Sequence, residues 1–237
     1  MILYINGDSH SSGCEAALPY AFISDDYQYK HNNISDSFWG SESRWAPHPE
    51  NLKVSYGQLL ADQLGAELHC HARASGSNDR IIRTTREYLQ NHKPDFVLIG
   101  WSTLEREEWL HNGEYWQITA GRLGKDWPRE VQKKYREWVI NIDYDECNYN
   151  NHCKIWDFHL ELAQKQIPHL FFNCFSDFSQ RDVKDWGDHF IFPYDIKFTY
   201  WQWLTDRGHE SNPSYHFRAD AHRKWAEFLL PHLTKML

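Results

Sequence analysis

Residues 1–13 read MILYINGDSHSSG, and the rest of the chain is organised around them. Ile2, Leu3, Tyr4 and Ile5 form an apolar run of the length of a buried strand. Asn6-Gly7-Asp8-Ser9 then breaks the strand with turn-forming residues. A serine so placed stands at the carboxyl tip of a strand, where open α/β sheets bind ligands. It also precedes an expected helix N-terminus, whose free N–H groups and dipole suit an oxyanion. Gly7 permits the sharp bend and leaves room for a substrate. On these residues alone, a strand ending in a polar turn is the other reading.

Further along, apolar runs alternate with helical patterns. Residues 52–64 place Leu52, Tyr56, Leu59, Leu60 and Leu64 on one side of a helix, with Gly65 just past its end. Residues 66–72 read as a second strand, followed by Ser75-Gly76-Ser77 and a helix to about residue 91 capped by Ser77 or Asn78. DFVLIG, residues 95–100, is a third strand, apolar enough to be covered on both faces, with Trp101-Ser102-Thr103 at its tip. Residues 104–127 read as irregular and Trp-rich. Pro128 opens a helical pattern in two pieces to about residue 166. Residues 167–172 form a fourth strand and 190–192 a short fifth. Residues 217–233 form a terminal helix with Ala221, Trp225, Phe228, Leu229 and Leu233 as its apolar stripe. Residues 14–50 carry little periodicity and form a long insertion. The alternation predicts βαβ units, right-handed crossovers and a mainly parallel sheet with helices on both faces, in one domain over residues 1–237.

Composition narrows the function classes. With 41% apolar and 24% charged residues, the chain is globular. It has no run of about 18 apolar residues, so no membrane span is expected, and no basic-then-apolar leader, so a cytoplasmic location is. A net charge of −8 disfavours nucleic-acid phosphates as partners. The five cysteines are odd in number, form no Cys-x-x-Cys pair and fit reduced thiols. The 12 tryptophans suit either a sugar-binding cleft or packing within the insertions. His69 and His71 could share a strand face, but no third ligand follows at a metal-site spacing, so neither metal nor cofactor is expected.

In this arrangement the tips of the first three strands converge, carrying Ser9, Gly76 and Ser102, with Tyr215-His216 just ahead of the terminal helix. Acyl transfer needs a nucleophile, a base and oxyanion donors, and Ser9, His216 and the N–H groups of Ser9 and Gly76 could supply them. The stretch Gly7-Asp8-Ser9 resembles the first block of the SGNH (GDSL) hydrolases. The segment from His216 to His222 resembles their C-terminal histidine block, Ala221-His222 standing where Gly-His is common. The resemblance covers most of the chain. It implies a flavodoxin-like three-layer α/β/α sandwich and a serine esterase or carbohydrate deacetylase acting on a small-molecule or carbohydrate ester.

Two departures bear on the chemistry. Gly76-Ser77-Asn78-Asp79 spells the family's third block but follows the second strand; after the third strand the usual asparagine is Ser102. Asn78 or Ser102 is therefore the candidate third oxyanion donor, with Asn78 favoured for its longer arm. The family's aspartate three residues before the histidine is Pro213 here. A backbone carbonyl of residues 210–215 is favoured as the group orienting His216, ahead of Glu210 or a carboxylate from a distant loop. His10, Trp101 and Arg106, beside the strand tips, are expected on the substrate side, where Arg106 could meet Glu105, Glu107 or a substrate anion. Together the departures keep a rival open: a protein of this fold that binds, for instance, carbohydrate without turning it over.

Overall fold

The computed structural model describes residues 1–27, 45–121, 123–125 and 127–237. Its strands are β1 (Ile2–Asn6), β2 (Glu67–Cys70), β3 (Phe96–Trp101), β4 (Glu107–His111), β5 (Glu114–Ile118) and β6 (His169–Asn173). Its helices are α1 (Pro49–Leu52), α2 (Tyr56–Leu64), α3 (Asn78–Asn91), α4 (Arg129–Ile140), α5 (Tyr144–Gln164), α6 (Tyr200–Thr205) and α7 (Ala219–Met236). The central sheet has the order β2-β1-β3-β6, all pairs parallel, as expected for the strands beginning near Ile2, Ala66, Asp95 and Ile167. β1 therefore lies inside the sheet, with Tyr4 beside His69 on one side and Val97 on the other.

Strand alternation sorts the core into two layers. Leu3 and Ile5 face α2 and α7, packing with Leu60, Trp225 and Leu229. Tyr4, Val97 and Ile99 face α3 and α5, packing with Ile81, Tyr88, Phe158 and Leu162. The result is a three-layer α/β/α sandwich with flavodoxin-like strand order. The helix boundaries follow local chemistry. The Ser55 and Ser77 hydroxyls accept from the N–H groups of Gln58 and Arg80, capping α2 and α3, and Gly65 closes α2 in the left-handed conformation.

Several expectations are corrected. The segment after β1 is a run of turns rather than a regular helix. Gly13 and Glu15 both have positive φ (68° and 58°), and the Ser12 hydroxyl donates to the Ser9 carbonyl, competing with helical bonding. The helix expected over 52–64 is two pieces, because Ser55 caps a new helix instead of continuing the old one. Residues 104–127 contain the antiparallel β4–β5 hairpin, turned by Asn112-Gly113, both at positive φ. That hairpin and α4 enclose a core of their own, in which Trp109, Trp116, Trp127 and Trp138 take part. Residues 190–192 make no regular strand: Phe190 forms a single parallel bridge with Phe171, covering the outer edge of β6. Part of the insertion expected at 14–50, residues 28–44, lies outside the described residues. No helix among the described residues is long and apolar enough to cross a membrane.

A histidine cluster sits on β6 and its surroundings. The His169 Nδ1–H donates to the Ile167 carbonyl, its Nε2 accepts from His159, and His189 donates to the His169 carbonyl. Burial pushes His169 down to about 3 and His159 down to about 4.

Candidate active site

The turn after β1 is shaped by what cannot fit there. A Cβ on Gly7 would lie 2.1 Å from Ser11 Oγ and 2.8 Å from the Gly100 carbonyl, so only glycine lets the chain pass so close to β3. The Ser11 hydroxyl fills that space and accepts a 2.6 Å bond from the Tyr56 hydroxyl. The chain then curls back, with Ser12 N–H donating to the Asp8 carbonyl and Cys14 N–H to the Ser9 carbonyl. Neither the N–H nor the hydroxyl of Ser9 has a hydrogen-bond partner among the described residues.

His216 arrives from the other end of the chain. Its Nδ1–H donates to Glu15 Oε2 at 2.5 Å. Its ring centroid lies 5.4 Å from that of His10, the residue following Ser9. The orienting group is thus Glu15, the distant carboxylate, and not the backbone carbonyl favoured from the sequence. Asn212 explains why. Its Oδ1 accepts from the N–H groups of Ser214 and His216, while its Nδ2 donates to Glu15 Oε2. One amide therefore folds the loop ahead of α7 and fastens it to the loop after β1. Burial would raise the Glu15 pKa, but hydrogen bonds from His216, Ser214 and Asn212 outweigh it and hold the carboxyl below its ordinary value. Glu15 and Tyr215 both sit at positive φ, 58° and 66°. Such non-glycine outliers persist where the surroundings over-determine them, and here the Arg218 side chain clamps the Glu15 carbonyl. Glu210 is exposed, and Asp220 pairs with His209. The sequence offered a weak signal for Glu15, the first carboxylate beyond the serine, and none for its pairing with residue 216.

The expected oxyanion donors fare differently. Gly76 does lie against the turn after β1: a Cβ there would be 3.2 Å from the Gly7 carbonyl. Its N–H, however, donates to the Arg73 carbonyl at 3.0 Å. Asn78 is fully buried. Its Nδ2 donates to Asn151 Oδ1 and the Ser102 carbonyl, and its Oδ1 accepts from Ser102 N–H. The single hydroxyl proton of Ser102 goes to Asp8 Oδ2 at 3.0 Å. Asn78 is thus a brace for the loop after β3, not a donor aimed into the site. Asn151 on α5 completes the brace by donating to the Leu104 carbonyl. Asn78→Ala should therefore act on stability, lowering it by about 2–3 kcal/mol by stranding the Ser102 N–H and Asn151. Urea denaturation checks this, and an unchanged midpoint would refute the bracing role.

The braced loop delivers Arg106. Its Nη1 donates to Ser102 Oγ at 2.8 Å and to the fully buried Asp8 carboxylate at 3.3 Å. Neither Glu105 nor Glu107 is its partner: Glu107 binds the indole N–H groups of Trp109 and Trp138. His10 and Trp101 are corrected as substrate contacts. Trp101 belongs to β3, paired with Asn173, and its fully buried ring packs on Phe158 and Phe171. His10 is buried against Phe175, Tyr200 and His216, and burial, then the proximity of His216 and Arg106, disfavours its charged form. His222 is buried too, its Nδ1 accepting from the Tyr56 N–H. Among the described residues no group of three or more His, Cys, Asp or Glu side chains is placed to hold a metal ion.

A family model described as a family of unknown function (DUF6071) matches residues 50–179. The chain belongs to this family. A comparison with curated proteins gives no match. Among solved structures, the chain is similar to an acetyl xylan esterase, Est2A, from the rumen bacterium Butyrivibrio proteoclasticus. Identity is 12%, TM-score 0.47, with 99% of this chain and 63% of that chain covered. The chain thus spans under two thirds of that protein's length. It is also similar to the esterase EstA from Pseudoalteromonas sp. (10%, TM-score 0.47, 99% and 97% covered) and to TesA (9%, TM-score 0.48, 100% of each covered).

Proposed function

We propose that this protein is a serine ester hydrolase working through Ser9, His216 and Glu15. The supporting observation is the Glu15–His216 hydrogen bond. It commits Nδ1 as a donor, which makes Nε2 the acceptor nitrogen, while the Ser9 hydroxyl, one residue before the His10 ring on which His216 packs, is uncommitted to Nε2 as to every other described group. In the acylation step Ser9 Oγ attacks the ester carbonyl carbon while its proton passes to His216 Nε2. The carbonyl π electrons move onto oxygen. When the tetrahedral species collapses, the C–O bond to the alcohol breaks and the alcohol leaves with the His216 proton. Water then repeats the sequence on the acyl-enzyme and releases the acid. Glu15 holds the imidazole tautomer and steadies the imidazolium. On the substrate side, the exposed Tyr215 ring, packed on Trp201, offers a flat face for the apolar side of an alcohol or sugar. Carbohydrate deacetylation is one case of this chemistry.

A second reading, a binding protein without turnover, is favoured by the committed N–H of Gly76 and amide of Asn78. A fluorophosphonate probe separates the two. Labelling of the folded protein at Ser9, abolished by Ser9→Ala, supports the hydrolase. No labelling, or labelling elsewhere, supports the binding protein.

A further inference from the structure

We infer that Arg106 is the second oxyanion donor, alongside the Ser9 N–H, in place of the asparagine amide absent after β3. The inference rests on the hydrolase reading above. Its argument is one of hydrogen-bond capacity. A tetrahedral oxyanion needs preorganised donors that the ground state leaves open. The donors suggested by motif are closed: Gly76 N–H by Arg73, both Asn78 amide protons by Asn151 and Ser102, and the Ser102 hydroxyl proton by Asp8. Only the Ser9 N–H remains of the expected set.

A guanidinium carries five N–H groups in a rigid planar fork. Arg106 uses Nη1 on Ser102 Oγ and Asp8 Oδ2; its Nε and Nη2 have no partner among the described residues, and the side chain is 18% exposed. Asp8 immediately precedes Ser9, so the fork is anchored one residue from the nucleophile and still has donors to give. The anchoring is itself preorganised. Asp8 Oδ2 and Ser102 Oγ hold Nη1 of the guanidinium, and Ser102, Asn78 and Asn151 fix the loop that carries it. Arginine keeps its charge at any working pH, and a charged donor in a water-poor site stabilises an oxyanion more than an amide does. Ser102, where an asparagine would stand, is in this view a positioning residue: its short side chain leaves space for the guanidinium and its hydroxyl aims it.

The test compares Arg106→Ala and Arg106→Lys with the parent on a short p-nitrophenyl ester, alongside the rate of fluorophosphonate labelling. The phosphonyl oxygen of that probe occupies the oxyanion position. The expected result is a fall in kcat of about 10²- to 10³-fold for Arg106→Ala, with KM within about threefold, slower labelling, and partial rescue by added guanidinium. Arg106→Lys keeps a cation against Asp8 but loses the fork. It should fold as the parent does, by denaturation midpoint, and still lose at least about tenfold in kcat. If either folded variant turns over and labels within about threefold of a parent that is itself labelled at Ser9, this inference is overturned while the hydrolase reading stands. If the parent is not labelled at all, the hydrolase reading falls and this one with it.

Discussion

Glu15→Gln should lower kcat about 10⁴-fold, the loss that follows neutralising a true triad acid, and leave the fold intact. The substituted amide can donate where the carboxylate accepted. It would favour the His216 tautomer with the proton on Nε2, which faces the serine with a donor and cannot take its proton. Asn212 would lose its acceptor at the same time, so Glu15→Gln also loosens the loop that presents His216. Steady-state hydrolysis of p-nitrophenyl acetate measures the effect, and near-ultraviolet circular dichroism checks the fold. Glu210→Gln is the control. Glu210 is exposed, and the variant should stay within about threefold. A near-normal rate for Glu15→Gln would remove Glu15 from the mechanism, and a large loss at Glu210 would mean that the loop is otherwise arranged.

Acid should unfold this protein well above the ordinary carboxylate range. His169 and His222 are both almost fully buried, and burial pushes each down to about 3. In the unfolded chain they titrate near the usual value of about 6.5. Between about pH 6.5 and 3, then, the unfolded state binds more protons, and stability falls as pH falls. The slope approaches about 1.4 kcal/mol per pH unit for each group, so the pair loses on the order of 5 kcal/mol between pH 7 and 4.5. That is a large part of the total stability of about 5–15 kcal/mol usual for a domain. His159, pushed down to about 4, adds in the same direction. Urea midpoints measured across this range should drop steeply. His222→Gln should be weaker at pH 7 yet shallower in its pH dependence by about 1.4 kcal/mol per unit. Midpoints flat from pH 7 to 4.5 would contradict the burial of these rings.

The central sheet was legible because its strands are short apolar runs with turn residues behind them, a pattern that burial on both faces demands. The β4–β5 hairpin was as clearly written in Asn112-Gly113 but was masked by the tryptophans around it, which turn out to form a local core. Trp101 was misplaced by one residue of strand length: extending β3 past Gly100 turns that side chain into the α3–α5 layer. At the site, Gly-Asp-Ser and the terminal histidine marked the two residues to which the proposed chemistry assigns the reactive atoms. What they could not mark is hydrogen-bond occupancy. Whether Asn78 points inward depends on Asn151, far along the chain on α5, and whether Ser102 can donate depends on Asp8. Glu15 was hidden for the same reason, since its partner is chosen by the folded loops and not by spacing.

The span between Glu15 and His216, 201 residues along the chain, also sets an order of events during synthesis. The ribosome delivers Ser9 and Glu15 together, on the loop following β1, before either neighbour of β1 in the sheet has been made. His216 comes only with the approach to α7. A nascent or prematurely terminated chain that stops short of residue 216 carries Ser9 but lacks the base proposed for it. On the proposed mechanism such incomplete products are silent toward acyl compounds, and competence is switched on late, when the segment ahead of α7 docks beside the loop after β1.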